Sequence, residues 1–176
     1  MQSENKEAVS PTGRPSSLKG KNMETIQRIA SFSVDHTTLL PGIYVSRVDG
    51  DVTTYDLRTR LPNSGDLMDH GTMHSLEHML ATFLRNSEIS ADVLYFGPMG
   101  CQTGFYLLVR NADNERVLAA VKDSLKKTVS HTGDIFGNSA IECGNYRTLS
   151  LASAKKEAAR YLAVLEEKEK WSFCYE

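Results

Sequence analysis

Long apolar stretches are missing from this chain of 176 residues, and no charged-then-apolar leader opens it. The first absence excludes a membrane-spanning helix, which needs about 20 consecutive apolar residues. The second gives no sign of a secretory signal. Cysteine is scarce: three residues, an odd number and too few for a disulfide scaffold. A reducing, cytoplasmic setting is expected, with thiols serving as ligands or nucleophiles. An excess of one charge sign is lacking too. Twenty basic residues stand against 22 acidic ones, and no basic patch stands out, so nucleic acid is not an expected partner. What is present, 40% hydrophobic residues in a chain of this length, suffices for one domain with a real core.

Met1 to Asn22 is rich in Ser, Lys, Gly and Pro and poor in large apolar residues, so residues 1–22 read as a disordered tail or a non-native extension. Residues 23–176 are expected to form a single domain, its folded part starting near Ile26. Ile43–Val48 and Val52–Leu61 read as strands joined by the turn Asp49-Gly50-Asp51. Tyr55, Leu57 and Leu61 fall on one face of the second strand, and Asp56, Arg58 and Arg60 on the other. A helix follows over Thr72–Asn86, then strands over Ala91–Phe96 and Gly104–Arg110, and helices over Asn114–Val129 and Ala152–Lys170. His70 and His131 are assigned to loops. Strands and helices do not alternate strictly. The expected fold is α+β, a largely antiparallel sheet with helices packed on one face.

The string His74-Ser75-Leu76-Glu77-His78 carries the most chemistry. Residues at i and i+4 share one face of a helix, so both imidazoles can grip one metal ion. Glu77, beside them, is placed for acid–base work without being forced to ligate. The helix's apolar stripe is Leu76, Met79, Leu80 and Phe83; the histidines project from nearly the opposite side. The bland alternative is a solvated polar face with two incidental histidines. A catalytic metal site of this kind takes three protein ligands and keeps one position open. Cys143, in Glu142-Cys143-Gly144-Asn145, is the natural third ligand, and a His2Cys set suits Zn²⁺, Fe²⁺ or Co²⁺. Cys101, after Pro98-Met99-Gly100, sits in a tight turn that can present a thiol to a cleft. Taken singly, each of these cysteines could equally be a small buried structural residue. Cys174 reads as passive. His36 and Arg58, each alone, could be surface residues.

Several strings together resemble one family. In order they are Ser31-Phe32-Ser33-Val34-Asp35-His36-Thr37, Tyr55-Asp56-Leu57-Arg58 with Pro62-Asn63, the His74–His78 string, Gly97-Pro98-Met99-Gly100-Cys101-Gln102-Thr103-Gly104-Phe105-Tyr106, and Glu142-Cys143-Gly144-Asn145-Tyr146. Their order and spacing, from about Ile29 to Leu165, resemble the S-ribosylhomocysteine lyases (LuxS proteins). The resemblance implies a two-layer fold of that family. The implied reaction is cleavage of S-ribosylhomocysteine to homocysteine and 4,5-dihydroxypentane-2,3-dione, the autoinducer-2 precursor of quorum sensing. The same step recycles spent S-adenosylmethionine in the activated methyl cycle. A homodimer with interfacial active sites and one divalent metal per subunit is also implied, Fe²⁺ natively, with Zn²⁺ or Co²⁺ as substitutes. On that pattern His74, His78 and Cys143 match the metal ligands, Cys101 and Glu77 the catalytic pair, and Ser31, His36 and Arg58 the substrate-binding positions.

The chain departs from the pattern in two places. Many relatives carry Asp and Ser where this chain has Tyr95 and Gly97, and Tyr146–Ser150 lacks a histidine that relatives often have there. Two readings compete with the lyase. An HxxEH metallopeptidase would use Glu77 to activate water but leaves Cys101 unexplained. A non-catalytic metal-binding module would need a closed four-ligand site.

Overall fold

The computed structural model describes Ile29 and residues 32–175. The expected tail, the expected domain start near Ile26 and Ser31 lie outside the described residues.

Alternating apolar residues build four antiparallel strands: β1 (Gly42–Asp49), β2 (Val52–Arg58), β3 (Val93–Pro98) and β4 (Gly104–Arg110), side by side in the order β1-β2-β4-β3. Gly50, at φ +62°, supplies the left-handed conformation that a two-residue turn between β1 and β2 demands. Register decides which side chains share a face. Ile43, Leu57 and Phe105 align across three strands, and so do Tyr44, Asp56 and Tyr106 on the opposite face. Three helices, α1 (His70–Leu84), α2 (Asn114–Ser130) and α3 (Leu151–Glu166), cover the first face and leave the second open. This is the expected α+β arrangement with helices on one side.

The core lies between the layers. Ile43, Leu57 and Leu107 of the sheet meet Leu76 and Leu80 of α1, Val121 and Leu125 of α2, and Tyr161 and Leu165 of α3. Each such side chain contributes roughly 1.5–3 kcal/mol on full burial. Asp69, Asp113 and Ser150 cap the three helices by accepting from the backbone N–H groups of Thr72, Arg116 and Ser153, worth about 1 kcal/mol each.

Some boundaries differ from the sequence reading. His70 is the first residue of α1, because Asp69, one residue before it, provides the cap. β2 ends at Arg58, where its pairing with β4 runs out at Gly104. Arg60 then turns to α3 and makes a bidentate pair with the buried Glu157, at 2.6 and 3.1 Å, while Leu61 is left exposed. α3 stops at Glu166, four residues before the expected end. Phe83 is only partly buried and joins a smaller cluster with Met79, Ile135, Phe136 and Ala154.

After α3 the chain folds back around β1. Trp171 and Phe173 enter the core, and Val45 N–H donates to the Phe173 carbonyl at 2.7 Å. Phe173 sits at φ +58°, a conformation uncommon for a bulky residue. Two residues later Tyr175 has reached the open face, where its ring stacks on Tyr44 at 5.0 Å and 18°. Between Val45 and Arg47 the register of β1 slips by one residue.

Candidate active site

α1 presents His74 and His78 one turn apart, their ring centroids 4.6 Å from each other. They face a loop over residues 131–148 that covers them, so both are half-buried rather than solvated. Each ring is oriented through Nδ1. His74 Nδ1 meets Thr148 Oγ1 at 3.1 Å, and His78 Nδ1 meets the Phe136 carbonyl at 2.8 Å. Both Nε2 atoms are thereby left for a metal, the arrangement that outer hydrogen bonds impose on ligating histidines. Burial, then neighbouring His78, lowers the His74 pKa, which favours the neutral ring a metal requires.

Cys143 comes from the loop, anchored by its N–H donating to the Ser139 carbonyl at 3.0 Å. Its Sγ lies 3.3 Å from His74 Nε2, and ligand atoms of His74, His78 and Cys143 all fall within 4.8 Å of one another. Two ligands on one tetrahedral zinc-like centre, bonded at about 2.0–2.3 Å, lie roughly 3.5 Å apart. The trio therefore fits a divalent metal with three ligands from the described residues. The half-burial of both histidines speaks against a freely solvated face, and Cys143 stands against His74 rather than in the apolar core. Ser75, on the same helix turn, donates to the Gly71 carbonyl and accepts from Ser150 N–H at 2.8 Å, fixing the start of α3 beside Thr148.

Sequence reasoning missed the residues that hold these rings. Phe136 and Thr148 carry no motif. Gly137 has a readable cause only in the structure. At φ +69°, a Cβ there would lie 2.8 Å from His78 Nδ1, so only glycine lets the loop close on the ring. The glycine-rich loop composition was the one available signal.

Glu77 projects from α1 next to His78 and is half-buried. Burial raises its carboxyl pKa, opposed by His78.

A second group forms at the turn between β3 and β4, which is bonded to the segment entering α1 through Met68 N–H and the Gln102 carbonyl. Met99 N–H donates to the Gly104 carbonyl and Gln102 N–H to the Met99 carbonyl, closing a turn with Gln102 at φ +64°. This turn exposes Cys101 and sets its Sγ 3.1 Å from Thr103 Oγ1 and 3.7 Å from Arg58 Nη1. Arg58 is not solvated: it is 2% exposed, as is Asp56, and the two are paired at 2.5 Å. Arg58 Nη1 also donates to Thr103 Oγ1 at 2.6 Å. Burial pushes the Cys101 thiol up, but hydrogen bonds from Thr103 and the charge of Arg58 outweigh it and hold the thiol below its ordinary range. Burial likewise works against the Arg58 charge and is outweighed by Asp56. For Asp56 burial wins over Arg58 and raises the carboxyl. The guanidinium stays charged throughout, and its 2.5 Å contact with Asp56 Oδ2 has the geometry of a charge-assisted pair.

His36, half-buried, lines a cavity of about 380 Å³ together with Cys101, Thr103, Asn63 and Leu67. Asn63 Nδ2 donates to the His36 carbonyl at 3.3 Å, tying this segment to the β2 exit. Tyr95 and Gly97 are coupled by packing. The Tyr95 hydroxyl lies 2.0 Å from where a Gly97 Cβ would stand, so the phenol folds over the space a side chain would need.

A His2Cys group on an α+β scaffold, with a carboxylate beside it and a thiol of lowered pKa in the β3–β4 turn, defines the class as a protein with a candidate metal site. The comparisons with known proteins narrow the class. The model of the S-ribosylhomocysteinase (LuxS) family matches residues 29–172, and the chain belongs to that family. A protein of Desulfotalea psychrophila named S-ribosylhomocysteine lyase is 46% identical over 142 residues, 77% of this chain and 89% of that protein. One of the same name from Finegoldia magna is 42% identical over 155 residues, 85% and 99% of the two chains. Another from Clostridium beijerinckii is 45% identical over 143 residues, 78% and 90%.

Proposed function

We propose that this chain is a carbon–sulfur lyase that cleaves S-ribosylhomocysteine to homocysteine and 4,5-dihydroxypentane-2,3-dione. The observation that carries the reading is the pairing of the His74–His78–Cys143 trio with a Cys101 thiol activated by Arg58, in a chain of this family.

The thioether becomes a leaving group only when a carbonyl stands β to sulfur. Two shifts of the carbonyl along the sugar achieve that, each moving a proton between adjacent carbons. A proton is then lost from the carbon between carbonyl and C–S bond, the bond breaks, and homocysteine departs with the electron pair. A divalent metal held by His74, His78 and Cys143 would supply Lewis acidity at the sugar carbonyl. Cys101, as thiolate, takes and returns the carbon-bound protons. Glu77, its carboxyl held up by burial, carries protons to and from the sugar oxygens. Arg58, 2% exposed, supports the thiolate, and Ser31, His36 and Arg58 are the residues assigned to the substrate.

The metal proposed is Fe²⁺, one per subunit, with Zn²⁺ or Co²⁺ as substitutes. All three cysteines are free, which suits a reducing cytoplasm, and no helix among the described residues is long and apolar enough to cross a membrane. The proposed assembly is a homodimer built on the open sheet face. A shallow groove of about 380 Å³ there, lined by Thr54, Tyr95, Tyr106 and Leu108 with Ile29 at its rim, supports that assembly. The test is free-thiol release from S-ribosylhomocysteine by protein purified without oxygen and loaded with Fe²⁺ or Co²⁺. Release is the expected result. Its absence from metal-replete protein would sink the reading.

A further inference from the structure

The family match ends at residue 172, yet the chain does not stop contributing to the site there. Tyr175 is three residues further on, and its hydroxyl donates to Asp56 Oδ2 at 3.0 Å. That oxygen also accepts from Arg58 Nη2 at 2.5 Å. The other Asp56 oxygen, Oδ1, and Arg58 Nε are buried and find no hydrogen-bond partner among the described residues. Asp56 therefore holds the guanidinium through one oxygen only, Thr103 Oγ1 being the other partner, and a carboxylate held at one atom by one bond is free to swivel. The Tyr175 bond is the second restraint. The backbone route makes it possible: Phe173 is pinned in the core and bonded to Val45, so the following residues are delivered to the open face, where the Tyr44 stack seats the phenol.

We infer that Tyr175 is a positioning residue for Cys101: it fixes Asp56, which holds the Arg58 guanidinium with Nη1 against the thiol. The inference rests on the reading of Cys101 as the working thiol. Two effects act in the same direction. The phenol restrains the carboxylate, and its hydrogen bond draws charge from Oδ2, so less of the Arg58 field is cancelled before it reaches sulfur. The titratable groups around Cys101 are Arg58 and Asp56 on β2, Tyr106 on β4, His36 from the N-terminal segment and Tyr175 itself.

The experiment is the pH dependence of Cys101 alkylation by iodoacetamide in the metal-loaded full chain. The label is read on the Cys101 peptide by mass spectrometry, so Cys174 and Cys143 do not confuse it. Tyr175→Phe keeps the ring stack and removes the hydroxyl. It is expected to move the midpoint upward and slow alkylation about threefold on the rising limb, the effect of a half-unit pKa change. Metal content and the thermal melt should stay close to the parent. Deleting Cys174–Glu176 removes stack and hydroxyl together and should shift the midpoint at least as far. Added to Asp56→Asn, Tyr175→Phe should give no further shift. An unchanged midpoint in folded Tyr175→Phe protein overturns the inference, as does a shift that persists undiminished in the Asp56→Asn background. No substrate is used, so a failure here is separate from a failure to release thiol from S-ribosylhomocysteine.

Discussion

The metal trio hangs between one helix and one loop, its rings set by neutral hydrogen bonds to Thr148 and the Phe136 carbonyl, whereas the Cys101 thiol is governed by a buried ion pair on the sheet. The first region is assembled by shape. Helical spacing brings two ligands together, and a glycine lets the loop close on them. The second is assembled by charge. Arg58 and Asp56 are both removed from water, a costly arrangement that the pair offsets only while its geometry holds. Two clusters proposed to serve one reaction should therefore fail in different ways, one to added bulk and the other to lost charge.

The largest expected effect separates the two regions outright. Cys101→Ala should cut thiol release from S-ribosylhomocysteine by about 10²–10⁴-fold, the span of general acid–base contributions. Bound metal, measured by elemental analysis, should not change. Next comes Arg58→Met, which leaves Asp56 buried without its cation and should cost about 3–5 kcal/mol in chemical denaturation. Replacing both partners, Asp56→Leu with Arg58→Met, should recover most of that stability while the thiol stays poorly reactive. If stability and reactivity returned together, the charge account of the second region would be wrong.

Gly137→Ala tests the other side. A methyl there pushes on the His78 ring, and metal affinity should fall about 10–100-fold, as when an outer partner of a ligand is lost. Competition with a chromogenic chelator reads it, and Cys101 alkylation should be untouched. The smallest effect concerns pH. The folded Cys101 pKa lies below the ordinary thiol range, so its thiolate fraction grows as pH rises through that lowered value. The acid limb of kcat/KM should accordingly lie below where a free thiol titrates. Arg58→Met should move that limb to higher pH, and a limb that stays put would remove Arg58 from the account of the thiol.

The same contrast explains what could be read in the chain beforehand. His74, His78 and the apolar residues Leu76 and Leu80 obey one helical period, and alternation in β1, β2 and β4 is local, so helix, strands and ligand spacing were legible. The α+β class followed from their order. Arg58 was not legible as a buried residue. A charged side chain on an alternating strand reads as solvated, and its partner Thr103 lies 45 positions away in sequence, as Tyr175 lies 119 from Asp56. His70 was misassigned to a loop because nothing in its own chemistry reveals that Asp69 caps the helix. Leu61 was placed on a strand that ends earlier, because the strand's length is set by its neighbour's turn at Cys101–Thr103. Thr148 and Phe136 contribute a hydroxyl and a carbonyl, groups too common to mark a site without coordinates.

The wrapped chain end has a bearing on association. A strand at the border of a sheet offers unpaired backbone groups to any other strand, and borders of that kind seed open-ended aggregation. Here the Val45 N–H is already engaged by Phe173, and the register slip before Arg47 bends the ladder beside it. Lengthwise zippering along β1 is thereby blunted, while the broad face carrying Tyr95 and Leu108 stays open. Contact through a face related by a two-fold axis closes on itself after two copies. The fold thus discourages fibres at the same strand where it pins Phe173 in the core.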